Sequence, residues 1–463
     1  MFDLVIKNGS VVFPGEGVKA VDVGVRDGKI AGFVDRQAVP QAKEVVDATD
    51  RYVFPGGIDP HVHLGIYNHY LEDFELDTRA AALGGYTCIV NYYRHADSYL
   101  GTVATMIEQA ERVSTVDFAF SLGLLRQVHW TEFRDVVRET GITSWKSHRQ
   151  YEREVGTRFK VSDPLMLDDD DLLDTMRRFA ELSDRLLVCV HCEDTDIARA
   201  ATSRLKRRHG LRHTLAEFAD TSPGYAEAVS LLSAMYFAYV VGSRNLYVVH
   251  LSSGHSVDLL QRAPWLQRET GTVIETTPHY LTLTKHSSAN LWAKVGPPIQ
   301  GEWDRQRLWQ AIDGGQITSY GGDHIPCRPP DKKGGQDLWN TKFGFGGIGL
   351  MMPLLLDEGY HKRHLPLEHL AYLMSTAPAK SFALYPQKGA MAIGSDADLV
   401  LVDLAQERTV TSDMPQVPDG YTVYEGIKLK GWPVRTILRG RTVASDHKIL
   451  AEPGCGRYIF RKL

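Results

Sequence analysis

The chain has 463 residues, of which 43% are hydrophobic and 24% are charged, and its formal net charge is -5. This composition is typical of a globular protein with enough apolar surface for one large domain and a smaller one. The slightly acidic balance gives no reason to expect a nucleic-acid partner, and no apolar run approaches the roughly 20 residues that a membrane span needs.

The cysteines and the N-terminus indicate the compartment. The five cysteines are odd in number, and Cys189 and Cys192 lie in an apolar run typical of a buried strand. The first apolar stretch reaches a turn at Asn8-Gly9 too early for the core of a signal peptide. We therefore expect a cytoplasmic protein that is not attached to a membrane.

Both ends of the chain are rich in short predicted strands and tight turns. Residues 1–52 contain predicted strands at 4–7, 11–13, 21–26 and 30–34, and residues 390–463 contain others at 397–402, 426–430 and 435–438. Each end is too small to fold alone. We predict that the two ends form one β-sandwich.

Residues 53–389 show a different pattern, in which apolar strands alternate with helices. The predicted strands are 88–92, 118–124, 186–191 and 247–251, and the predicted helices are 78–83, 99–113, 172–183 and 225–241. Near-continuous apolar strands separated by helices are typical of a parallel sheet that helices cover. For about 330 residues, the size-matched α/β architecture is a (β/α)8 TIM barrel. The acidic run 168–171 fits a helix start.

His61 and His63 are the first candidate metal ligands. They follow an apolar run and Pro55-Gly-Gly, which is typical of a strand that leaves a turn. Side chains alternate along a strand, so both imidazoles would point to the same side and bind one metal ion.

More ligand-type residues follow later predicted strands. They are Lys146, His191, His250 and Asp323. In a barrel of this kind the carboxyl ends of the strands carry the catalytic groups, so these side chains are expected to meet. A single histidine there is more often structural, but the repetition favours a metal centre.

The set predicts two divalent ions. A neutral Lys146 amine can add carbon dioxide to become a carbamate, which gives one oxygen to each ion. His61, His63 and Asp323 would hold one ion, and His191 and His250 the other. Imidazole and carboxylate ligands suit Zn²⁺ best, with Mn²⁺, Co²⁺ or Fe²⁺ as possible substitutes.

Several different short motifs are distributed along the whole chain: Asp3-Leu-Val-Ile-Lys-Asn-Gly9, Pro55-Gly-Gly-Ile-Asp59, Glu72-Asp-Phe-Glu75, Gly84-Gly-Tyr-Thr87, Ala377-Pro-Ala-Lys380, Gly394-Ser-Asp-Ala-Asp-Leu399 and Tyr424-Glu-Gly426. With them the chain resembles the cyclic amidohydrolases of the amidohydrolase superfamily. The resemblance is strongest to D-hydantoinase and dihydropyrimidinase, with allantoinase and dihydroorotase features. These motifs are specific for the branch and much less so for the substrate.

The resemblance implies a carboxylated Lys146, the same six ligand positions, a small cyclic amide substrate and a homo-oligomer, commonly a tetramer. It implies that a hydroxide between the two ions attacks a ring carbonyl while Asp323 carries the proton to the leaving nitrogen. Tyr151, five residues after the lysine, matches the tyrosine that stabilises the oxyanion in hydantoinase-type enzymes.

Several segments depart from hydantoinase and leave the ring substrate open. Asn91-Tyr-Tyr-Arg-His95 puts Arg94 and His95 near the barrel mouth, where a cation could bind a substrate carboxylate or pair with an internal acid. The loop at Phe343 lacks the asparagine with which hydantoinases bind the amide edge of the ring. Alternatives are an allantoinase- or dihydroorotase-like hydrolase, a single-metal deaminase and a non-catalytic scaffold related to dihydropyrimidinase.

Overall fold

The structure is a computed structural model that describes residues 1–38, 41–147 and 168–463. The described strands are numbered β1 to β19 in chain order. Those of the first chain end are β1 (Phe2–Lys7), β2 (Ser10–Phe13), β3 (Gly17–Lys19), β4 (Asp22–Arg26), β5 (Lys29–Val34), β6 (Ala42–Asp47) and β7 (Tyr52–Pro55). Those of the other end are β16 (Leu399–Thr409), β17 (Lys428–Leu438), β18 (Arg441–Ser445) and β19 (Lys448–Ile449).

The two chain ends form two packed sheets, as predicted. One sheet has the order β5-β4-β1-β6, and the other has the order β19-β18-β17-β16-β7-β2-β3. In the second sheet β7 pairs antiparallel with β16, which joins the beginning of the chain to its last part. Apolar side chains from both ends share one core, among them Leu4, Ile6, Val53, Leu399 and Ile437.

The middle of the chain forms a sheet of eight parallel strands in sequence order, which confirms the predicted barrel. The strands are β8 (Gly57–Val62), β9 (Tyr86–Tyr93), β10 (Asp117–Gly123), β11 (Ser144–Ser147), β12 (Leu187–Val190), β13 (Leu246–Val248), β14 (Val273–Thr276) and β15 (Ser319–Tyr320). A parallel bridge between Val62 and His324 brings the last strand back to the first.

Helices cover the barrel. The described α-helices are Tyr70–Leu83, Thr102–Glu111, Gln127–Thr140, Asp169–Leu182, Thr195–Lys206, Leu215–Ala219, Gly224–Val241, Gly254–Arg262, Pro264–Thr270, Pro278–Thr282, Glu302–Asp313, Pro329–Lys332, Met351–Leu355, Leu367–Ala371 and Ala377–Ser381. Short 3-10 helices are Asn290–Ala293, Lys333–Gly335 and Ile348–Leu350, and π-helices are Leu356–His361 and Tyr372–Thr376.

The helix starts show how local sequence sets these bounds. Asp168 caps the Asp169–Leu182 helix by accepting hydrogen bonds from the amides of Asp170 and Asp171, both at 3.0 Å, as the acidic run predicts. The first barrel helix begins at Tyr70, eight residues before the predicted start, with Glu72 and Asp73 in its favourable first turn.

The domain boundaries at 52/53 and 389/390 stay a prediction. Because β7 ends at Pro55 within the sandwich and β8 starts at Gly57 in the barrel, the pairing favours a first boundary a few residues later. Among the described residues, the span Leu215–Val241 is long and apolar enough to cross a membrane by length and composition. Core helices of soluble proteins pass the same test, and 39% of its most apolar window is buried.

Candidate metal centre

The structure brings the six predicted ligands to one end of the barrel. His61 lies in β8 and Lys146 in β11, while the other four residues follow β8, β12, β13 and β15 within one to three residues. The strands are parallel, so these positions share the carboxyl edge of the sheet. All six side chains are at least 94% buried.

His61, His63 and Asp323 form the first group. Nε2 of His61 lies 3.2 Å from Nε2 of His63, and Oδ1 of Asp323 lies 3.5 Å and 3.2 Å from these two nitrogens. One ligand atom of each residue lies within 4.8 Å of the others. Two imidazoles and one carboxylate are a donor set that suits a divalent ion such as Zn²⁺.

His191 and His250 form the second group. Nδ1 of His191 lies 2.9 Å from Nε2 of His250. The His250 ring stacks against that of His61 with centroids 5.5 Å apart, so the two groups are adjacent. Within the described residues, the buried Nδ1 of His250 has no hydrogen-bond partner. The donor chemistry therefore fits a second ion.

Burial keeps His61 and His250 neutral. Desolvation lowers the pKa of His61 and of His250 well below the ordinary value, and the nearby Lys146 lowers both further. A neutral imidazole has the lone pair that a metal ion needs, so the site is prepared for a cation.

Lys146 lies close to Tyr92 and to the cavity at the candidate metal centre. Its Nζ is 5.3 Å from the centroid of Tyr92, and its side chain borders a cavity together with His63, His191, His250 and Asp323. Burial lowers its pKa to about 8. A larger fraction of the amine is then neutral at physiological pH, which is the form that reacts with carbon dioxide.

The backbone at two of the ligands is strained. His250 has φ 44° and Asp323 has φ 45°, in the left-handed region that non-glycine residues rarely adopt. Such conformations persist where the surrounding structure holds them, and they cluster at functional sites. Here they turn the chain directly after β13 and β15.

Glu275 lies near the end of β14 and contacts the candidate ligands His61 and His250. The sequence analysis did not single it out. Its Oε1 accepts hydrogen bonds from Nδ1 of His61 at 2.8 Å and from the amide of His250 at 2.9 Å. Its Oε2 accepts one from the hydroxyl of Tyr247 at 2.8 Å. With Nδ1 donating to Glu275, the Nε2 lone pair of His61 faces His63 and Asp323, so Glu275 orients His61.

Asp59 is a second buried carboxylate that the sequence analysis missed. Its Oδ1 accepts from the amides of His61 at 3.0 Å and Gly322 at 2.8 Å, which ties β8 to the segment after β15. A Cβ at Gly322 would lie 2.4 Å from the Asp59 carboxylate, so only glycine allows this approach. Burial raises the pKa of Asp59 to about 7.

His191 and His324 also have acidic partners. Nε2 of His191 lies 3.1 Å from Oε2 of Glu193, and Nε2 of His324 lies 3.0 Å from Oδ1 of Asp77. The position of His324 directly after Asp323, beyond a strand end, is a signal that the sequence offers, whereas its partner Asp77 lies in a distant helix and gives none.

The structure places two of the three predicted substrate-binding residues at the cavity, and it does not describe the predicted oxyanion residue. Arg94 and Phe343 border the cavity that the ligands line. His95 instead stacks on Tyr93 with centroids 6.2 Å apart and is not among the described residues that line this cavity. Tyr151 lies outside the described residues and stays a prediction.

Comparisons with known proteins agree with this geometry. Residues 52–443 match the model of the amidohydrolase family. The chain is 34% identical to an allantoinase from Rubrobacter xylanophilus, over 99% of this chain and 97% of that protein, and 32% identical to a D-hydantoinase from Geobacillus stearothermophilus, over 98% and 96%. The crystal structure of dihydropyrimidinase from Brevibacillus agri superposes with a TM-score of 0.88 at 30% identity, covering 99% of this chain and 98% of that one.

Proposed function

The chain belongs to the amidohydrolase family, and we propose that it is a binuclear metal-dependent hydrolase that opens a ring amide of the hydantoin or dihydropyrimidine type. The observation that carries the proposal is the meeting of four histidines, a lysine and an aspartate at the carboxyl edge of one barrel. A non-catalytic scaffold would have no use for this buried set of ligands.

We assign one ion to His61, His63 and Asp323 and the other to His191 and His250, with a carbamate on Lys146 shared between them. When bound, two divalent ions lower the pKa of water towards neutrality and polarise an amide carbonyl. Zinc is the metal that these ligands fit best. The protein is proposed to act in the cytoplasm as a homo-oligomer, either a dimer or a tetramer.

The residues of the chain supply orientation and proton transfer. Glu275 holds the His61 ring, and the buried walls exclude bulk water from the reacting centre. Asp323 takes a proton from the attacking water and gives it to the leaving ring nitrogen. Tyr151 is proposed to donate its hydroxyl to the developing oxyanion.

A second candidate substrate is another ring amide of the kind that allantoinase- or dihydroorotase-like enzymes hydrolyse, in particular a ring that carries a carboxylate, as dihydroorotate does. Arg94, which follows β9 and borders the ligand-lined cavity, favours it because a guanidinium binds a carboxylate with two parallel hydrogen bonds. Phe343 borders the same cavity and would contact the ring face.

The test is hydrolysis by the purified, zinc-loaded protein of hydantoins, dihydropyrimidines, allantoin, dihydroorotate and cyclic imides. Ring opening of at least one of them and about two ions per chain are expected. Opening of an anionic ring alone, lost in Arg94→Met, favours the second candidate. A metal-loaded protein that opens none of these rings contradicts the proposal.

A further inference from the structure

One wall of the cavity at the metal centre belongs to a segment without regular secondary structure. Phe343 and Gly344 border this cavity together with Val295 and Gly296. The described residues 336–344, called here the rim segment, form neither a helix nor a strand. A strand ladder or helix therefore does not fix the path of the rim segment, and its position depends on the side chains that bind its backbone.

Lys294 binds the rim segment from inside the protein. Lys294 is 2% exposed, and its Nζ donates hydrogen bonds to the carbonyl oxygens of Leu338 at 2.9 Å and of Thr341 at 2.7 Å. Its own backbone carbonyl accepts a hydrogen bond from the amide of Gly344 at 2.9 Å. Three hydrogen bonds of one residue thus hold the rim segment at three points.

The same ammonium group lies against the ring of Phe343. Nζ of Lys294 is 4.5 Å from the ring centroid of Phe343 and 5.2 Å from that of Phe218, which are cation–π distances. The two rings meet edge to face with centroids 5.5 Å apart. Phe343 is still 45% exposed. Lys294 and Phe218 therefore hold the ring on its buried side, while the exposed part of the ring can contact a ligand in the cavity.

Tyr67 holds Phe343 at a further point. Its hydroxyl donates to the carbonyl oxygen of Phe343 at 3.0 Å, and Tyr67 itself borders the cavity. A Cβ at Gly296 would lie 3.6 Å from the Phe343 ring, so this glycine and the ring are close neighbours in the cavity wall. The ring of Phe343 thus has a defined position at the edge of the cavity.

The choice of a lysine for this position has a physical meaning. In the described part of the chain the hydrogen-bond acceptors of the Lys294 ammonium are carbonyl oxygens and not a carboxylate. Lys342 of the same segment shows the usual pattern, since it pairs with Asp331 at 2.7 Å and is about half exposed. Desolvation of a buried ammonium offsets most of what such hydrogen bonds contribute to stability. The main effect of Lys294 is therefore on the position of the groups that it binds.

We propose that Lys294 is a positioning residue for the substrate, which holds the Phe343 ring as a preformed wall against which the substrate ring packs. The inference rests on the proposed function. Lys294 does not itself touch the substrate, because it is buried behind Phe343. A preformed wall avoids the entropy loss of ordering the rim segment when the substrate binds, so removal of Lys294 should weaken binding more than it slows the chemical step.

Hydrogen exchange and steady-state kinetics of the zinc-loaded protein test this inference. In Lys294→Met the carbonyl oxygens of Leu338 and Thr341 lose their donor. Amide exchange in the rim segment is then expected to be about 10-fold faster or more, KM for a ring substrate to rise about 10- to 100-fold, and kcat to stay within about threefold. Lys206→Met is the matched control, because the exposed Lys206 places its ammonium 5.1 Å from the Trp339 ring of the same segment and should change none of these values.

A double-mutant cycle shows whether Lys294 acts through Phe343. Phe343→Ala should raise KM by itself, and Lys294→Met added to it should raise KM little further. Lys294→Gln keeps an N–H donor and is the variant to use if the methionine variant does not fold. Its exchange and KM should lie between those of the unchanged protein and the values expected for methionine.

Three results would overturn the inference: unchanged exchange of the rim segment in a folded Lys294 variant, a lower kcat with an unaltered KM, or additive effects of the changes at Lys294 and Phe343. A zinc-loaded unchanged protein that opens none of the rings contradicts the proposed function instead. The exchange measurement needs no turnover and then decides by itself whether Lys294 holds the rim segment.

Discussion

Two buried clusters each bring three potential ligand atoms within 4.8 Å of one another. One is the candidate metal-ligand group of His61, His63 and Asp323, and the other is the acidic cluster of Asp117, Asp396 and Asp398. The acidic cluster contains its own cation: Nζ of Lys388 lies 2.9 Å from Asp396 and 2.7 Å from Asp398 and also contacts Asp117. The group of His61, His63 and Asp323 has two imidazoles instead, and burial lowers the pKa of His61 so that its ring stays neutral.

The two buried lysines, Lys146 and Lys388, show how the surrounding charges set the pKa of an amine. Burial lowers the pKa of Lys146 to about 8. Burial also acts to lower the pKa of Lys388, but the three carboxylates together outweigh it and hold this pKa above the ordinary value. Lys388 is therefore a permanent countercharge, whereas Lys146 can become neutral and be modified. The distances between potential ligand atoms do not by themselves distinguish a metal site from an ion-pair network. The balance of positive and negative side chains in the cluster does.

Lys146→Ala is the change with the largest expected effect. In the proposed centre a carbamate on Lys146 would serve both ions, so the loss of Lys146 should remove most of the bound metal and nearly all of the activity. Metal content and ring hydrolysis are the measurements, and a short carboxylic acid such as propionate should restore part of both. Unmodified lysine in a fully metal-loaded crystal structure would contradict the assignment.

Asp323→Asn should keep the fold and much of the metal. The amide cannot carry the proton, so the rate is expected to fall by a factor of about 10² to 10⁴. Turnover and metal content are measured on the same preparation. A near-normal rate with full metal content would remove Asp323 from proton transfer.

Lys388→Met should act on stability and leave the metal centre intact. Asp398 loses its ion-pair partner inside the protein, while Asp117 and Asp396 keep Arg439 and Lys29, and the loss costs about 3–5 kcal/mol. Lys19→Met is the control, because Lys19 pairs with Glu16 and both side chains are at least half exposed, and it should cost less than about 1 kcal/mol. Urea unfolding gives both values. Equal losses would mean that the acidic cluster does not depend on Lys388.

Glu275→Gln should have the smallest effect of the four. The amide holds the His61 ring less firmly, so we expect metal affinity to fall about 10- to 100-fold, with slight change in the fold. Glu227→Gln is the control, since this carboxylate is also buried but bonds serines and not a candidate ligand histidine. Competition with a zinc-binding dye measures the affinity. Similar losses in both variants would argue against a specific role for Glu275.

The sequence predicted the barrel, the sandwich and the strand-end positions of the six ligands because these depend on local periodicity and on a general property of parallel sheets. It missed Glu275 and Asp59 because their roles arise from contacts across the barrel: Glu275 bonds a histidine 214 residues away. A carboxylate inside an apolar run carries no local signal of its partner. The turn that directs His95 onto Tyr93 was equally invisible, because aromatic stacking follows from the three-dimensional path of the loop.

The pairing of β7 with β16 has a consequence for synthesis on the ribosome. The partner of β7 is made about 340 residues later, which at ordinary translation rates is a delay of roughly 20–70 s. The sheet of β1, β4, β5 and β6 is complete within the first 47 residues. The edge of β7 meanwhile stays open to wrong pairing. One edge of β7 can pair with β2 at once, whereas the sandwich is completed only after the barrel has been translated.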